Sequence, residues 1–379
     1  MRIGVDASNI LTGGGVTHLN KILEHADPLK YGIQDLVVWG GKKTLEELPL
    51  RSNSSLHYFE VLNNTISRRL LWQQTELCSL AKKSCDILFV PGGSYLGGFR
   101  PYATMFQNMQ VFDKKERNRE NSKEWLRLRL LQTAQTLSFQ RASGLICLSE
   151  YARNYLTQYY PQLAAKTTIQ LIAHGTETFN NDSPMSRTES SNDSQILKIL
   201  YVSTVKKYKH QWNLIDAVSL LRKEGFSMVL HLIGGGDPQA LRWMRESIQR
   251  NQSDQEFVFY HGSYPYEETL EWYQKVDMFV FPSTCENMPV VLLEAMTSGL
   301  PIASSDRGPM PEVLKDAGLY FNPESVTSIK NCLRYMIENP NLRKRLGAKA
   351  KQYSLAYSWK KCADETFAFL RSVYEKKYE

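Results

Sequence analysis

Short apolar runs alternate with longer stretches of helical periodicity along the chain. In the first half, the apolar runs predict strands at residues 2–7, 35–39, 56–61, 86–90, 103–107, 144–148 and 168–173. Helical patterns separate them at residues 16–26, 65–82, 122–141 and 151–159. Because the strands are separated by helix-length segments, the pattern predicts βαβ units and a parallel sheet.

The same alternation starts again after residue 195. The intervening sequence, FNNDSPMSRTESSNDSQ at residues 179–195, is rich in Ser, Asn and Asp, which is typical of an exposed loop or a linker. Beyond it, strands are predicted at residues 197–202, 228–233, 257–260, 277–281, 301–304 and 319–321. Helices are predicted at residues 209–223, 238–249, 266–275, 289–298 and 311–315, followed by a mostly helical tail. The pattern favours two doubly wound α/β domains, with ligands bound at strand ends that face a central cleft.

The composition narrows the class of protein. At 379 residues, 42% hydrophobic and 22% charged, the chain is typical of a globular protein with two domains. No run approaches the roughly 18 apolar residues that span a bilayer, and Asp6 stands where a secretory signal would be apolar, so we expect a cytoplasmic protein. The six cysteines form no C-x-x-C pair, which gives no indication of a zinc site or a disulfide framework. The net charge of +7 suits an anionic partner, and no nucleic-acid motif accompanies it.

The most informative segment is FPSTCENMPVVLLEAMTSGLP at residues 281–301. A predicted strand ends at Phe281, a loop carries Glu286, and a helix containing Glu294 is predicted to begin at Pro289, a favoured first helical position. The free N–H groups and the positive dipole end of such a helix suit a phosphate. Ionised carboxylates on either side suit hydroxyl groups, because each accepts several hydrogen bonds. We favour a site for a phosphate and a sugar over a pair of solvated acids.

This segment resembles the E-x7-E signature of glycosyltransferase family 4 (glycosyl transferases group 1), which has the GT-B fold of two Rossmann-like domains. The resemblance implies that Glu286 and the adjoining Asn287, Met288 and Pro289 contact the donor hexose. It implies that Glu294 binds the ribose of the nucleotide.

The resemblance extends along nearly the whole chain and implies its domain organisation. The N-terminal, acceptor-side domain would comprise residues 1–178, and the donor domain would comprise residues 196–357 after the linker at 179–195. The C-terminal helix at residues 358–379 would pack back on the first domain, as the last helix does in this family.

The loop before the helix predicted at 209–223 is similar to the diphosphate-binding loop of the family. Lys209 stands where the family has its phosphate-binding lysine, and an ammonium group suits a pyrophosphate leaving group. The sequence departs from the family at Thr204, another candidate donor-binding residue, where an arginine often stands. Lys206 or Lys207 could supply the missing charge, and an ordinary solvated lysine cluster is the alternative.

Three other turns match family segments. Gly14 and Gly15 match the glycine loop that faces the donor phosphate, since glycine permits close backbone approach. Gly234 resembles the glycine turn after the second strand of the donor domain, where a tight turn explains it equally well. Tyr264, in HGSY, could stack on the nucleotide base or simply pack against its neighbours.

Gln107 stands at the end of a strand, where the family often has a histidine near the anomeric carbon. A glutamine cannot shuttle a proton, so we expect an orienting hydrogen bond at most. The candidate catalytic residues are therefore Glu286, Lys209 and Gln107. The resemblance implies a retaining transfer without an obligatory metal, and we expect no cofactor. Our hypothesis for the proton of the acceptor is that the leaving phosphate accepts it.

The partners implied by the resemblance are a nucleotide-sugar donor and a saccharide or lipid-linked acceptor. GDP-mannose is our first choice of donor, with a UDP-sugar as the alternative, and surface polysaccharide or O-antigen synthesis is the expected setting. Residues 113–129 carry seven Lys or Arg, and Arg68 and Arg69 form a second basic patch. Such patches suit peripheral binding to the inner face of the plasma membrane, and equally a solvated helix rich in ion pairs.

Two other functions stay open. A sugar-nucleotide 2-epimerase with the same fold would bind the donor but release a free epimerised nucleotide sugar. A catalytically degenerate partner subunit would bind the donor without turnover, and the missing arginine and histidine fit that reading.

Overall fold

A computed structural model describes residues 1–11, 13–49, 53–165, 167–177, 196–252 and 255–376. The strands are β1 (Arg2–Asp6), β2 (Asp35–Gly40), β3 (Ser54–Tyr58), β4 (Ile87–Val90), β5 (Tyr102–Phe106), β6 (Gly144–Cys147), β7 (Thr168–Leu171), β8 (Leu197–Val202), β9 (Met228–Ile233), β10 (Val258–Tyr260), β11 (Met278–Phe281), β12 (Ile302–Ser305) and β13 (Leu319–Phe321). The helices are α1 (Gly14–Glu24), α2 (Lys42–Glu46), α3 (Ile66–Gln74), α4 (Glu76–Ser84), α5 (Lys114–Asn118), α6 (Ser122–Arg141), α7 (Glu150–Tyr159), α8 (Pro161–Ala164), α9 (Gln211–Lys223), α10 (Pro238–Asn251), α11 (Tyr266–Trp272), α12 (Val290–Thr297), α13 (Met310–Leu314), α14 (Val326–Glu338), α15 (Pro340–Ser354) and α16 (Trp359–Glu375). The predicted linker at 179–195 lies outside the described residues.

The chain divides into two compact units. The N-terminal unit comprises residues 1–175 and 357–379, and the C-terminal unit comprises residues 176–356. Each contains one sheet, in the order β3-β2-β1-β4-β5-β6-β7 and β10-β9-β8-β11-β12-β13, and the neighbouring strands run parallel. This confirms the predicted class of two doubly wound parallel-sheet domains.

In both sheets, the order in which successive strands are added reverses at an equivalent place. The first strand of each unit lies beside its fourth, so β1 pairs with β4 and β8 pairs with β11. In an open parallel sheet, the loops at the carboxyl ends of two such strands diverge and leave a crevice, which is where ligands bind. These two switch points contain most of the candidate functional residues.

The central strands are buried on both faces, as expected where helices cover both sides of a parallel sheet. Every residue of β4, β5 and β6 is buried. The C-terminal helix α16 covers part of this sheet, and most of its buried residues are spaced at helical periodicity (Trp359, Cys362, Ala363, Thr366, Phe367, Phe369, Leu370 and Val373). Gly175 lies against this helix so closely that a Cβ would come within 2.1 Å of the Trp359 backbone nitrogen.

A buried histidine pair joins α1 to the segment before Gly175. The Nδ1 atoms of His18 and His174 are 2.8 Å apart, so one ring donates to the other. Burial lowers the pKa of His174 to about 4 and lowers the pKa of His18 as well. The pair is therefore neutral and structural at neutral pH, in contact with Trp359 of α16.

The main differences from the predicted elements lie in the N-terminal unit. The single helix predicted at 65–82 is two helices, because the backbone of Thr75, with φ of −102° and ψ of −76°, departs from helical geometry between them. The strand predicted at 56–61 begins and ends earlier, at Ser54–Tyr58, and a short 3₁₀ turn follows it at Glu60–Asn63.

Among the described residues, no helix has the length and apolar character that a membrane span requires.

Candidate functional site

The predicted donor-binding residues of the C-terminal unit gather at its switch point. Thr204 and Lys209 lie in the loop after β8, and Glu286 and Asn287 lie in the loop after β11. Because β8 and β11 are parallel neighbours, both loops leave the sheet at its carboxyl edge. The two loops are also joined directly, since Thr284 N donates to Tyr208 O at 2.8 Å.

Lys209 is held in place by its backbone and by aromatic rings. It ends a 3₁₀ turn at Lys207–Lys209, and the next residue, His210, has a φ of +50° at the start of α9. The Tyr201 hydroxyl donates to Lys209 O at 2.9 Å. Its ammonium group lies 5.3 Å and 5.4 Å from the ring centres of Tyr208 and Phe281, within range of cation–π attraction.

The ammonium group of Lys209 forms an ion pair with the Glu286 carboxylate. The side chains are only 9% and 14% exposed, so both charges are largely removed from water. Removing one partner from such a pair leaves a buried charge uncompensated, which is costly. The cation predicted to act on the diphosphate and the acid predicted to act on the hexose are therefore in direct contact.

The start of α12 follows Glu286. The structure corrects the predicted position of Pro289, which is the residue before the first helical turn and not within it, because α12 begins at Val290. Asn287 and Met288 are buried beside it. No acidic side chain lies in the first turn of α12. Leu292 N and Leu293 N donate to Pro289 O, so the N–H groups of the first two helical residues and the dipole are available to an anion.

Glu294 lies further along α12 and is buried. The Tyr273 hydroxyl donates to its Oε2 at 2.7 Å. The hydroxyl of Tyr266 is buried near the same carboxylate without a hydrogen-bond partner at normal distance among the described residues. Burial raises the pKa of Glu294 to about 7, although the two tyrosines oppose that shift. Neither tyrosine was predicted from the sequence, because nothing in the α11 pattern distinguishes them from ordinary packing residues.

The other predicted residues of this unit differ in their surroundings. Thr204 is exposed, and its carbonyl accepts from Gln211 Nε2 at 3.3 Å. Gly234 has a φ of +131°, and a Cβ there would lie 2.1 Å from Ser203 O, so the turn itself requires glycine. Tyr264 is 37% exposed and lies in a cluster of rings with His261 and Trp272.

Gly14, Gly15 and Gln107 belong to the N-terminal unit. Gly14 is the first residue of α1, after Gly13 with a φ of +68°. A Cβ at Gly15 would lie 3.5 Å from Gln107 Oε1, so these two residues are neighbours. Both line a cavity of about 630 Å³ at the carboxyl edge of this sheet. Thr12, in the same glycine-rich segment, is not among the described residues.

Comparison with known proteins identifies the family of the C-terminal unit. Residues 183–353 match the family described as Glycosyl transferases group 1. The C-terminal unit belongs to this family. The chain is accordingly a glycosyltransferase, and the resemblance found in the sequence is confirmed.

The chain is also similar to curated relatives and to solved structures, and these similarities extend beyond the C-terminal unit. The chain is 23% identical over 272 residues to the O-antigen chain mannosyltransferase B of Escherichia coli, which covers 69% of this chain and 68% of that protein. It resembles the structure of sucrose-phosphate synthase from Thermosynechococcus elongatus with a TM-score of 0.78 at 15% identity, over 99% of this chain and 100% of that one. It resembles Anabaena Alr3699/HepE in complex with UDP and glucose with a TM-score of 0.68 at 15% identity, over 96% and 97%. The structural likeness confirms the predicted GT-B fold.

Proposed function

We propose that the protein is a retaining, metal-independent hexosyltransferase that moves mannose from GDP-mannose to a lipid-linked saccharide, in the synthesis of a bacterial surface polysaccharide such as O-antigen. The contact between Lys209 and Glu286, beside the free start of α12, is the observation that carries the proposal. It brings two groups to one switch point: a cation that suits a diphosphate, and a carboxylate that can accept hydrogen bonds from sugar hydroxyls.

The donor is proposed from the relatives. The O-antigen relative in Escherichia coli is named as a mannosyltransferase, which supports mannose. The HepE structure contains UDP and glucose, so a UDP-sugar is the alternative donor. We infer that Glu294, close behind the start of α12, accepts from the ribose hydroxyls, and that Tyr264 lies near the base.

The proposed reaction begins when the donor diphosphate separates Lys209 from Glu286. Lys209 and the α12 N–H groups then meet the charge of the diphosphate, and Glu286 accepts hydrogen bonds from the hexose hydroxyls. Thr204, Asn287, Met288, Pro289 and the turn at Gly234 shape the rest of the donor site. The bond from the anomeric carbon to the diphosphate oxygen breaks, and a bond to the acceptor oxygen forms on the same face.

The acceptor proton passes to the departing phosphate oxygen in this proposal. Gln107 stands at the position where the family often has a histidine, and its amide cannot act as a base. We assign it an orienting hydrogen bond, and we assign the amides of Gly14 and Gly15 to the donor phosphate. Because fixed cations and dipoles meet the developing charge, the reaction needs no metal ion.

A transfer assay with defined products tests this proposal. GDP-mannose and UDP-sugars are each incubated with the protein, excess chelator and a lipid-linked acceptor, and the new linkage is examined by NMR. We expect transfer from GDP-mannose with the anomeric configuration retained. An inverted linkage, or activity that requires an added divalent metal, would contradict the mechanism. Free epimerised nucleotide sugar in the absence of acceptor would favour the epimerase.

Peripheral membrane binding is part of the proposal. Lys123 and Leu126 on α6 and Arg68 on α3 are exposed in the N-terminal unit, so a basic and an apolar side chain share one helix surface. The predicted basic patches are less continuous than the sequence suggests, because Arg69 and Arg117 are buried. Sedimentation with anionic vesicles should weaken when Lys123, Leu126 and Arg68 are replaced by serine. Unchanged sedimentation of that variant would remove the membrane from the proposal.

A further inference from the structure

The cavity of about 630 Å³ in the N-terminal unit lies at the switch point of its sheet. Its floor comes from the loops after β1, β4 and β5, which contribute Asn9, Ser94 and Gln107. Its sides come from α3 and α6, whose exposed Ile66 and Leu130 stand at the rim. The cavity therefore has a polar floor and an apolar rim.

Arg69 of α3 lines this cavity and is only 8% exposed. Its Nη1 donates to Ser8 O at a long 3.4 Å, and its Nε has no hydrogen-bond partner among the described residues. No carboxylate of the described chain forms an ion pair with it. A buried guanidinium without a counter-charge is unfavourable for folding, and burial lowers the pKa of Arg69 accordingly.

The charged groups nearby are already satisfied by other partners. The buried Asp6 accepts from Ser8 N at 3.0 Å and from Gln73 Nε2 at 2.5 Å, and burial raises the pKa of Asp6. Arg127, the other arginine that lines the cavity, donates to both Glu124 oxygens at 2.7 Å and 2.6 Å and is half exposed. Arg69 thus differs from both, since its buried guanidinium has one long hydrogen bond and no ion pair within the described residues.

We propose that Arg69 binds the phosphate of an organic phosphate in this cavity. Its planar guanidinium is suited to paired hydrogen bonds with phosphate oxygens. Asn9 and Gln107 on the floor face the polar part of the ligand, and Ile66 and Leu130 at the rim contact an apolar part. That this ligand is the acceptor of the transfer rests on the proposed function, whereas its binding does not.

Calorimetric titration of the full chain with four probes tests this inference. Farnesyl phosphate, used below its aggregation concentration, and glucose 1-phosphate carry the anion, and farnesol and glucose are their uncharged counterparts. We expect the phosphates to bind more tightly than their counterparts, with an affinity on the order of tenfold lower or worse in R69Q, since a hydrogen bond to a charged group is lost. R69K should retain part of the affinity. R141Q, at the exposed end of α6, is the matched control and should bind as the original protein does.

The preferred phosphate identifies the source of the ligand. Tighter binding of farnesyl phosphate indicates a lipid-linked ligand, and tighter binding of glucose 1-phosphate indicates a soluble sugar phosphate. Either result supports the phosphate site. Equal binding of farnesol and farnesyl phosphate, or unchanged affinity in R69Q, would overturn it. So would binding that is lost in K209A and kept in R69Q, because the probes would then occupy the other unit.

Stability separates this role of Arg69 from a structural one. In the absence of ligand, R69Q should melt at the temperature of the original protein or above it, because an uncompensated buried charge has been removed. Farnesyl phosphate should raise the melting temperature of the original protein and not that of R69Q. A lower melting temperature in both R69Q and R69K would instead show that Arg69 serves the fold. GDP binding should be the same in R69Q, so failure of the donor proposal is recognised separately.

Discussion

In the C-terminal unit, the buried cation at the switch point is paired with an acid, whereas in the N-terminal unit it is not. Lys209 lies against Glu286, while Arg69 has no acidic partner among the described residues. The strand order around the two cations is equivalent. The same strand order therefore accommodates a buried cation with an acidic partner in one unit and a buried cation without one in the other.

The difference bears on how each unit would respond to an anion. In the C-terminal unit, a diphosphate must compete with Glu286 for Lys209, but it also frees Glu286 to accept from the sugar. In the N-terminal unit, an anion would meet an unpaired guanidinium and would relieve its unfavourable burial. The first arrangement favours selection of a complete nucleotide sugar, and the second favours binding of a simple anionic group.

The largest expected effect concerns the paired cation. K209A should lower kcat by about 10²–10³-fold, the size found when one preorganised charge-stabilising group is removed from an active site. Steady-state kinetics with the preferred donor measures it. K223A, at the exposed far end of α9, is the control and should retain full activity. Full turnover with unchanged donor affinity in K209A would remove Lys209 from the mechanism.

The second prediction concerns the buried acid of the C-terminal unit. The pKa of Glu294 is raised to about 7 by burial, from an ordinary value of 4.5. The folded state therefore holds a proton that the unfolded state loses, and the stability from Glu294 is lost as pH rises from 4.5 through 7. Above that range, E294Q should be more stable than the original protein by on the order of 3 kcal/mol.

Denaturant unfolding at several pH values checks this prediction. The exposed Glu246 on α10 provides the control E246Q, which should not alter the pH dependence of unfolding. A parallel fall in donor affinity in E294Q would connect the same carboxylate to the ribose. If E294Q and the original protein show the same pH dependence of unfolding, the pKa of Glu294 is not raised in the folded state and this prediction is wrong.

The N-terminal unit should show the opposite pH dependence through its histidine pair. The pKa of His174 is lowered to about 4 by burial, so the unfolded state binds more protons below about pH 6.5. Stability from the pair is present above pH 6.5 and is lost as pH falls toward 4. In H174Q this loss should be smaller, whereas H57Q, at an exposed site on β3, should behave like the original protein. His231 contributes in the same direction in the C-terminal unit, so each variant is compared with the original at every pH.

Much of the fold could be predicted from the sequence. Strands that are buried on both faces, such as β4 and β11, appear as short apolar runs, and helices with one buried face appear as a 3.6-residue period. Short elements were missed because they have too few turns for a period, as at Lys42–Glu46. The break at Thr75 was missed because it is a departure of the backbone angles at one residue, which the apolar pattern does not reveal.

The candidate site was predictable only in part. Glu286 and Lys209 were recognised because glutamate and lysine stand at motif positions, but their mutual contact depends on the pairing of β8 with β11. Arg69 was interpreted as part of an exposed basic patch because neighbouring Arg68 is also basic. Its burial follows from how α3 packs beside the loop after β1, which no local pattern reveals.

The smallest expected effect tests the division into units itself. Ser358 caps α16 by accepting from Lys361 N, and Ser325 caps α14 by accepting from Ser328 N. Loss of either cap should cost about 1 kcal/mol. Because α16 belongs to the N-terminal unit although it follows the C-terminal unit in the chain, S358A should weaken protection of β6 amides against hydrogen exchange, and S325A should weaken protection of β9 amides. If S358A affected only the amides of residues 196–252, α16 would be stabilising the other unit. Equal effects of both variants on all amides would show that the chain unfolds as one cooperative body.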